Sequence, residues 1–114
     1  MSDCIFCKIA AGDIAADFVY QDDDVVAFRD ITPQAPTHIL VIPRRHISTL
    51  LDTTPETDRL LGRMQLAAVE IARREGLAER GFRLVTNCLE EAGQSVFHLH
   101  LHLLGGRRLS WPPG

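Results

Sequence analysis

The sequence predicts an α+β domain, with a largely antiparallel sheet of about five strands, one long helix and one short one. Three observations carry that prediction. Apolar residues recur at helical spacing over one long stretch, between Thr54 and Gly76. The β-rich runs lie close together and are separated by short turn-forming segments, as hairpin-connected strands require. Near the C-terminal end, His98-Leu99-His100-Leu101-His102-Leu103-Leu104 alternates imidazole with leucine. In a strand, such a run puts all three imidazoles on one face and the leucines on the other, against a core.

In chain order, Ile5 to Ala11 is short and mostly apolar, and Gly12 supplies a helix stop. Phe18-Val19-Tyr20 and Val25-Val26-Ala27-Phe28 flank Gln21-Asp22-Asp23-Asp24 and read as a hairpin. The carboxylate run is then a solvated turn, in preference to a metal site. Ile39-Leu40-Val41-Ile42 is a buried strand ended by Pro43. Thr54 as N-cap and Pro55 at the first helical position open the long helix. Leu60, Leu61, Met64, Ala67, Ala68, Ile71 and Ala72 form its apolar face, and Gly76 closes it. This stripe reads as core. Phe82 to Cys88 is another strand, with Cys88 expected as a buried thiol, and Glu91 to Ser95 is the loop before the histidine strand.

The 114 residues are expected to form a single domain, 1–114, with a C-terminal tail over 105–114. A net charge of −3 argues against broad nucleic-acid binding through the phosphate backbone. Arg44-Arg45, Arg73-Arg74 and Arg107-Arg108 are dispersed and read as solvated surface. No apolar run approaches the roughly 18 residues of a membrane span. Met1-Ser2-Asp3-Cys4 lacks the basic and apolar regions of a secretory signal, and three cysteines cannot close a disulfide framework. The expected compartment is the cytoplasm, with no membrane or nucleic-acid partner.

Rossmann and P-loop phosphate motifs are absent, as are a nucleophile elbow and an H-E-x-x-H zinc motif. Gly93-Gln94-Ser95 precedes the histidines; a glycine there permits positive φ, and successive N–H groups in such a turn can form an anion-binding nest. A row of imidazoles can bind metal, bind phosphate or supply a nucleophile near neutral pH. Local chemistry leaves all three open.

The combination is more specific than its parts. Gly93-Gln94-Ser95-Val96-Phe97 followed by the histidine run resembles the histidine-triad superfamily of nucleotide-binding proteins. Ile5-Phe6-x-Lys8-Ile9, the segment Phe28-x-Asp30-Ile31-x-Pro33-Gln34-Ala35-Pro36-Thr37-His38, Ile42-Pro43 and His46-Ile47-Ser48 resemble its purine nucleoside phosphoramidase branch. So do Gly105-Gly106-Arg107 and the ending Trp111-Pro112-Pro113-Gly114. The resemblance spans nearly the whole chain, with the long helix contributing least. It implies a histidine-triad-like fold and a hydrolase that cleaves the P–N bond of nucleoside 5′-monophosphoramidates, such as AMP joined to an amine or to lysine. No catalytic cofactor is then required.

By the same resemblance, His100 is the nucleophile that forms a nucleotidyl-histidine, with a backbone carbonyl of its own strand expected to hold its other ring nitrogen. His102 and His38 would stabilise phosphoryl charge and help move the leaving-group proton, and Ser95 would bond the bridging atom. His38 shares a strand face with Leu40 and Ile42, so it can join the triad face if the two strands are neighbours. Asn87, Gly93, Gln94 and Ser95 match phosphate-contacting positions, with turn capping as the other reading of Asn87 and Ser95. Asp30 matches the carboxylate that accepts the ribose hydroxyls. Phe6, Ile9, Phe28 and Ile31 match the apolar positions around the base, and apolar walls imply weak discrimination of adenine from guanine. Core packing is the other reading of Phe6 and Phe28. Trp111 has its place in the resembling proteins where the tail crosses a two-fold homodimer to the partner's site; a loose tail is the alternative.

Cys4-Ile5-Phe6-Cys7 is a separate signal. With His46 and His98 it would complete a Cys2His2 set for a structural zinc, the pattern of some bacterial-type members of the superfamily. Many close phosphoramidases lack these cysteines, and a redox pair or unconnected thiols are the alternatives. Zinc would make His98 a metal ligand and leave His100 and His102 for chemistry. Rival functions are a dinucleoside-polyphosphate hydrolase or nucleotidyl transferase of the same superfamily, a purine-nucleotide-binding regulatory scaffold and, last, metal storage.

Overall fold

The computed structural model describes residues 3–114; Met1 and Ser2, on which part of the leader-peptide argument rests, lie outside the described residues. The elements run α1 (Ile5–Ala11), β1 (Phe18–Gln21), β2 (Val25–Arg29), β3 (Thr37–Pro43), α2 (Asp58–Arg74), β4 (Phe82–Val85) and β5 (Leu101–Gly105). Among the described residues the strands form one five-stranded sheet of order β1-β2-β3-β5-β4, with every pairing antiparallel. This is the α+β architecture that the apolar spacing implies.

Both faces of the sheet are covered, which is why β2 and β3 read as continuous apolar runs. On one face, Met64, Ala67, Ala68, Ile71 and Ala72 of α2 pack on Val25, Ala27, Ile39, Val41, Leu101 and Leu103. On the other, Phe6 and Ile9 of α1 pack on Val26, Phe28, Leu40 and Ile42. Cys4 caps α1, its sulfur accepting the Cys7 N–H at 3.3 Å, and Gly12 ends it at φ 85°, a conformation that favours glycine. The Asp22 carboxylate shapes the β1–β2 turn by accepting the N–H groups of Asp24 and Val25 and the Tyr20 hydroxyl. Arg29 of β2 donates two bonds, at 3.0 and 2.9 Å, to the Glu75 carboxylate just past α2, tying helix to sheet.

Four expectations are corrected. Pro55–Thr57 is a 3-10 turn closed by the Thr57 N–H to the Thr54 carbonyl at 2.9 Å, so α2 starts at Asp58. The histidine strand begins at Leu101 and leaves His98 in a bend and Leu99 and His100 in irregular chain ahead of the ladder. The β3–β5 ladder stops at Val41↔Leu101, two residues short of Pro43, which has no N–H to continue it. For the same reason β4 ends at Val85, opposite His102: an edge strand extends only as far as its neighbour. Cys88 thus lies beyond β4, half-buried instead of enclosed.

Among the described residues no helix is long and apolar enough to cross a membrane.

Ile71 lies almost completely buried between α2 and the sheet. Ile71→Ala is expected to lower unfolding free energy by about 2–5 kcal/mol in urea denaturation, because the core cannot collapse fully into the space left.

Candidate active site

Alternation outlasts the strand. Leu99, Leu101 and Leu103 all enter the α2 side of the sheet, while the imidazoles of His98, His100 and His102 stay together on the α1 side. The His100 and His102 ring centroids are 5.0 Å apart, and Phe6 stands edge-on to His100 at 5.2 Å and to His98 at 6.0 Å. His38 reaches the same face because β3 neighbours β5, with Leu40 directly opposite His102. The His38–His102 ring separation is 5.2 Å.

Hydrogen bonds fix which nitrogen of each ring carries a proton. His100 Nδ1 lies 2.7 Å from the His98 carbonyl, an acceptor only, so Nδ1 is protonated and Nε2 keeps its lone pair. His38 Nδ1 accepts the Gln34 N–H at 3.0 Å, which puts the His38 proton on Nε2. That Nε2–H faces His102 Nδ1 at 2.9 Å and, more distantly, Asp30 Oδ2 at 3.4 Å. His102 therefore accepts at Nδ1 and carries its proton on Nε2. No buried side-chain nitrogen or oxygen among the described residues lacks a partner. Nε2 of His100 and Nε2 of His102, which bond to no other described residue, must then reach the open surface: a lone pair beside a donor.

Burial pushes the His102 pKa down to about 4, reinforced by the neighbouring His100 and His38 and opposed by Asp30. Burial lowers His38 as well, against the pull of Asp30. Both rings are neutral at pH 7. Asp30, His38 and His102 lie close enough together to hold a metal ion. The His38 proton on Nε2 makes this trio a hydrogen-bonded chain instead.

The loop before the triad is held from within. Gln94 is buried; its carbonyl oxygen accepts the Leu89 N–H at 2.9 Å and its amide donates to the carbonyls of Ser48 and Val96. The Gly93 and Gln94 N–H groups bond to the carbonyls of Glu90 and Leu89. The expected anion nest is therefore not available from these two residues, because their donors are already used; Gln94 shapes the loop. Gly93 has φ 83° and Leu89 has φ 69°, so a leucine also takes the left-handed conformation here. Ser95 is exposed and Asn87 half-buried.

Phe6, Ile9 and Phe28 are buried together in the α1-side core, but Ile31 stands apart from them at 95% exposure. Asp30 Oδ1 accepts the N–H and hydroxyl of Thr32. Trp111 is 79% exposed, yet Arg83 lies over its ring at 6.0 Å and donates to the Ser110 carbonyl, so the tail is anchored to β4.

Cys4, Cys7, His46 and His98 converge, their ligand atoms all lying within 4.8 Å of one another. The His46 and His98 Nδ1 atoms are 3.2 Å apart, and sulfur–nitrogen distances run from 3.2 to 3.5 Å. Tetrahedral zinc with ordinary bond lengths needs about 3.3 Å between nitrogens and about 3.6 Å between sulfur and nitrogen. The outer contacts fit as well. His98 Nε2 donates to the Pro43 carbonyl at 2.8 Å, so that ring turns its Nδ1 lone pair inward, and His46, its Nε2 paired with Ser48 Oγ at 3.1 Å, turns its Nδ1 to the same cluster.

Gln34, the Pro43 carbonyl and the Leu89 conformation carry no role in the sequence reading. Carbonyl acceptors have no residue signature, and Ser48 is visible there only as part of a motif.

Comparison with known proteins identifies the family and the fold. A family model described as HIT domain matches residues 11–109. The purine nucleoside phosphoramidase of Escherichia coli K12 is 55% identical over 105 residues, covering 92% of this chain and 88% of that protein. A HIT-like protein from Synechococcus elongatus is 55% identical over 112 residues, covering 98% and 97%. The crystal structure of a HIT family hydrolase from Legionella pneumophila superposes with a TM-score of 0.97 at 52% identity, covering 98% of this chain and 100% of that one. A histidine triad protein from Clostridium difficile gives 0.93 at 43% identity, covering 96% of each.

An unfolded histidine binds its proton near pH 6.5, whereas folded His102 does so near pH 4. Between those values the unfolded chain holds more protons, so stability falls as pH drops from about 6.5 toward 4 and is restored above. Urea midpoints across that range should fall less steeply for His102→Asn than for the parent protein.

Proposed function

The chain belongs to the HIT domain family, and on that premise we propose that it is a purine nucleoside phosphoramidase. The observation that carries the reading is the protonation pattern. His100 offers an unprotonated Nε2 while its Nδ1–H is tied to the His98 carbonyl, beside a His102 that offers Nε2–H.

In the proposed reaction His100 Nε2 attacks the phosphorus of a nucleoside 5′-monophosphoramidate and the P–N bond breaks. Positive charge on the phosphorylated ring is spread onto Nδ1–H and from there to the His98 carbonyl. The amine leaves with one proton, delivered from solvent through His102, whose ring is easier to protonate once an anionic phosphoryl group lies beside it. The His38 Nε2–H keeps that ring aimed, and Asp30 accepts the ribose hydroxyls. Water then splits the nucleotidyl-histidine, releasing AMP and returning the proton. Ser95 bonds the bridging atom, and Asn87 and the backbone around Gly93 and Gln94 flank the phosphate. Phe6, Ile9 and Phe28 wall the base, with Ile31 closing over it from the exposed rim, so adenine and guanine are held by similar apolar contacts.

Zinc at Cys4, Cys7, His46 and His98 is part of this reading. It is supported by the tetrahedral spacing and by the inward Nδ1 lone pair of His98. Four protein ligands leave no open position, so the metal binds no substrate and takes no direct part in the reaction. A homodimer is supported by the edge position of β4 with its exposed Phe82, by exposed Trp111, and by an apolar hollow of about 310 Å³ that includes Leu50, Leu61, Met64 and Leu101. Trp111 would then reach the partner's nucleotide site. Net charge and cysteine usage favour the cytoplasm and argue against nucleic acid or membrane partners.

Hydrolysis of an AMP-amine phosphoramidate by the parent protein and by His100→Ala tests the reading. Turnover in the parent and its loss by at least about a thousandfold in the variant, with AMP still bound, is expected. Preference for a phosphate-linked over an amine-linked adenylate would move the protein to the polyphosphate hydrolases. AMP binding without turnover would make it a sensor.

A further inference from the structure

We propose that His98 is a positioning residue through which metal ligation at Cys4, Cys7, His46 and His98 selects the reactive tautomer of His100. The inference rests on the zinc reading above and goes beyond a purely structural metal.

Three polar groups of His98 are committed at once. Its Nδ1 lies among the metal-ligating atoms, its Nε2–H bonds to the Pro43 carbonyl, and its own carbonyl takes the His100 Nδ1–H at 2.7 Å. The residue is fully buried. One peptide group thus lies between the ring facing the metal and the acceptor that sets the nucleophile's proton.

The sheet does not hold that peptide. The β3–β5 ladder ends at Val41↔Leu101, and ahead of it the segment 96–100 makes one backbone–backbone bond outside regular elements among the described residues. That bond runs from Leu99 N–H to the Ile47 carbonyl at 2.6 Å. Ile47 follows His46, another member of the cluster. Where the ladder stops, the His46 and His98 segments are clasped by this bond and by the shared metal site. The helix carrying the two cysteines also bears Phe6, which packs edge-on against both His98 and His100. Ligands from three segments therefore converge on the peptide and the ring that frame the nucleophile.

A neutral imidazole has two tautomers, and the one with its proton on Nε2 has its lone pair on Nδ1, against the His98 side and away from the open surface where phosphorus would be attacked. Release of the metal leaves the packed core and the His98 Nε2–H bond to the Pro43 carbonyl to preserve the fold. It undoes the clasp that keeps Ile47 against the Leu99 N–H. Because that N–H and the His98 carbonyl share one planar peptide, the 98–99 peptide is then free to turn its carbonyl away from His100, so the ring populates both tautomers.

Long-range ¹H–¹⁵N spectra of the histidine rings, recorded at one pH on zinc-loaded, chelator-stripped and reloaded protein, test this. Metal content and kcat are measured on the same samples. With zinc, His100 should show a single form protonated at Nδ1; stripping should give a mixture, and kcat should fall on the order of tenfold to a hundredfold. Reloading should restore both. His46→Cys, which keeps four ligands, should retain zinc and the loaded spectrum. If stripping unfolds the protein, His46→Ala, altered at the exposed rim, supplies the metal-poor folded state. Stoichiometric zinc whose removal changes neither spectrum nor kcat overturns the coupling and leaves the metal reading intact. A parent protein that takes up no zinc removes the metal reading, and the coupling with it.

Discussion

The 2.7 Å bond between His100 Nδ1–H and the His98 carbonyl is the constraint on which the rest of the site depends. An imidazole is a nucleophile only at an unprotonated nitrogen, so the acceptor on one side of the ring decides whether the other side can react. A backbone carbonyl suits this task because it accepts and cannot donate. The same logic orders the neighbouring rings: the Gln34 N–H sets His38, and His38 sets His102. Each step is a local hydrogen bond. The outcome is a lone pair next to a proton, as transfer of a phosphoryl group requires.

That arrangement depends on a sheet enclosed on both sides. Leucines between the histidines enter the core under α2, and their burial holds the imidazoles on the opposite face without any need for ladder hydrogen bonds. On that face the short helix α1 brings Phe6 against the rings and carries Cys4 and Cys7 to His46 and His98. Burial has an electrostatic consequence as well. Rings removed from water and placed beside one another resist protonation, which keeps His102 neutral where an exposed histidine would be partly charged.

The approach to the site is stiffened by a single side chain. Gln94 uses both ends of its amide to join the loop's Leu89 and Val96 to Ser48. Ser48 in turn pairs with His46 through its hydroxyl. Loop, His46–Ser48 segment and triad are therefore connected through named hydrogen bonds, and a left-handed leucine at position 89 is held in place by that network.

The fold and the triad face were legible in the sequence because each rests on a period, whereas the Cys2His2 grouping has a spacing only in its cysteine pair and took His46 and His98 from the family resemblance. Alternation of two places His98, His100 and His102 together, helical spacing identifies α2, and a C-x-x-C pair announces neighbouring sulfurs. Parity puts His38 on one strand face with Leu40 and Ile42, and the resemblance implied its place at the triad, which requires β3 to lie beside β5 as it does. Tertiary structure alone decided where the β5 ladder stops, because that depends on which residue of β3 stands opposite and on Pro43 having no N–H to give. It alone decided that Gly93 and Gln94 spend their N–H donors within the loop, that Ile31 is exposed, and which backbone group sets the rings of His38, His98 and His100. Those outcomes turn on backbone groups, which every residue shares. A sequence distinguishes side chains, and only the folded chain shows which peptide groups they meet.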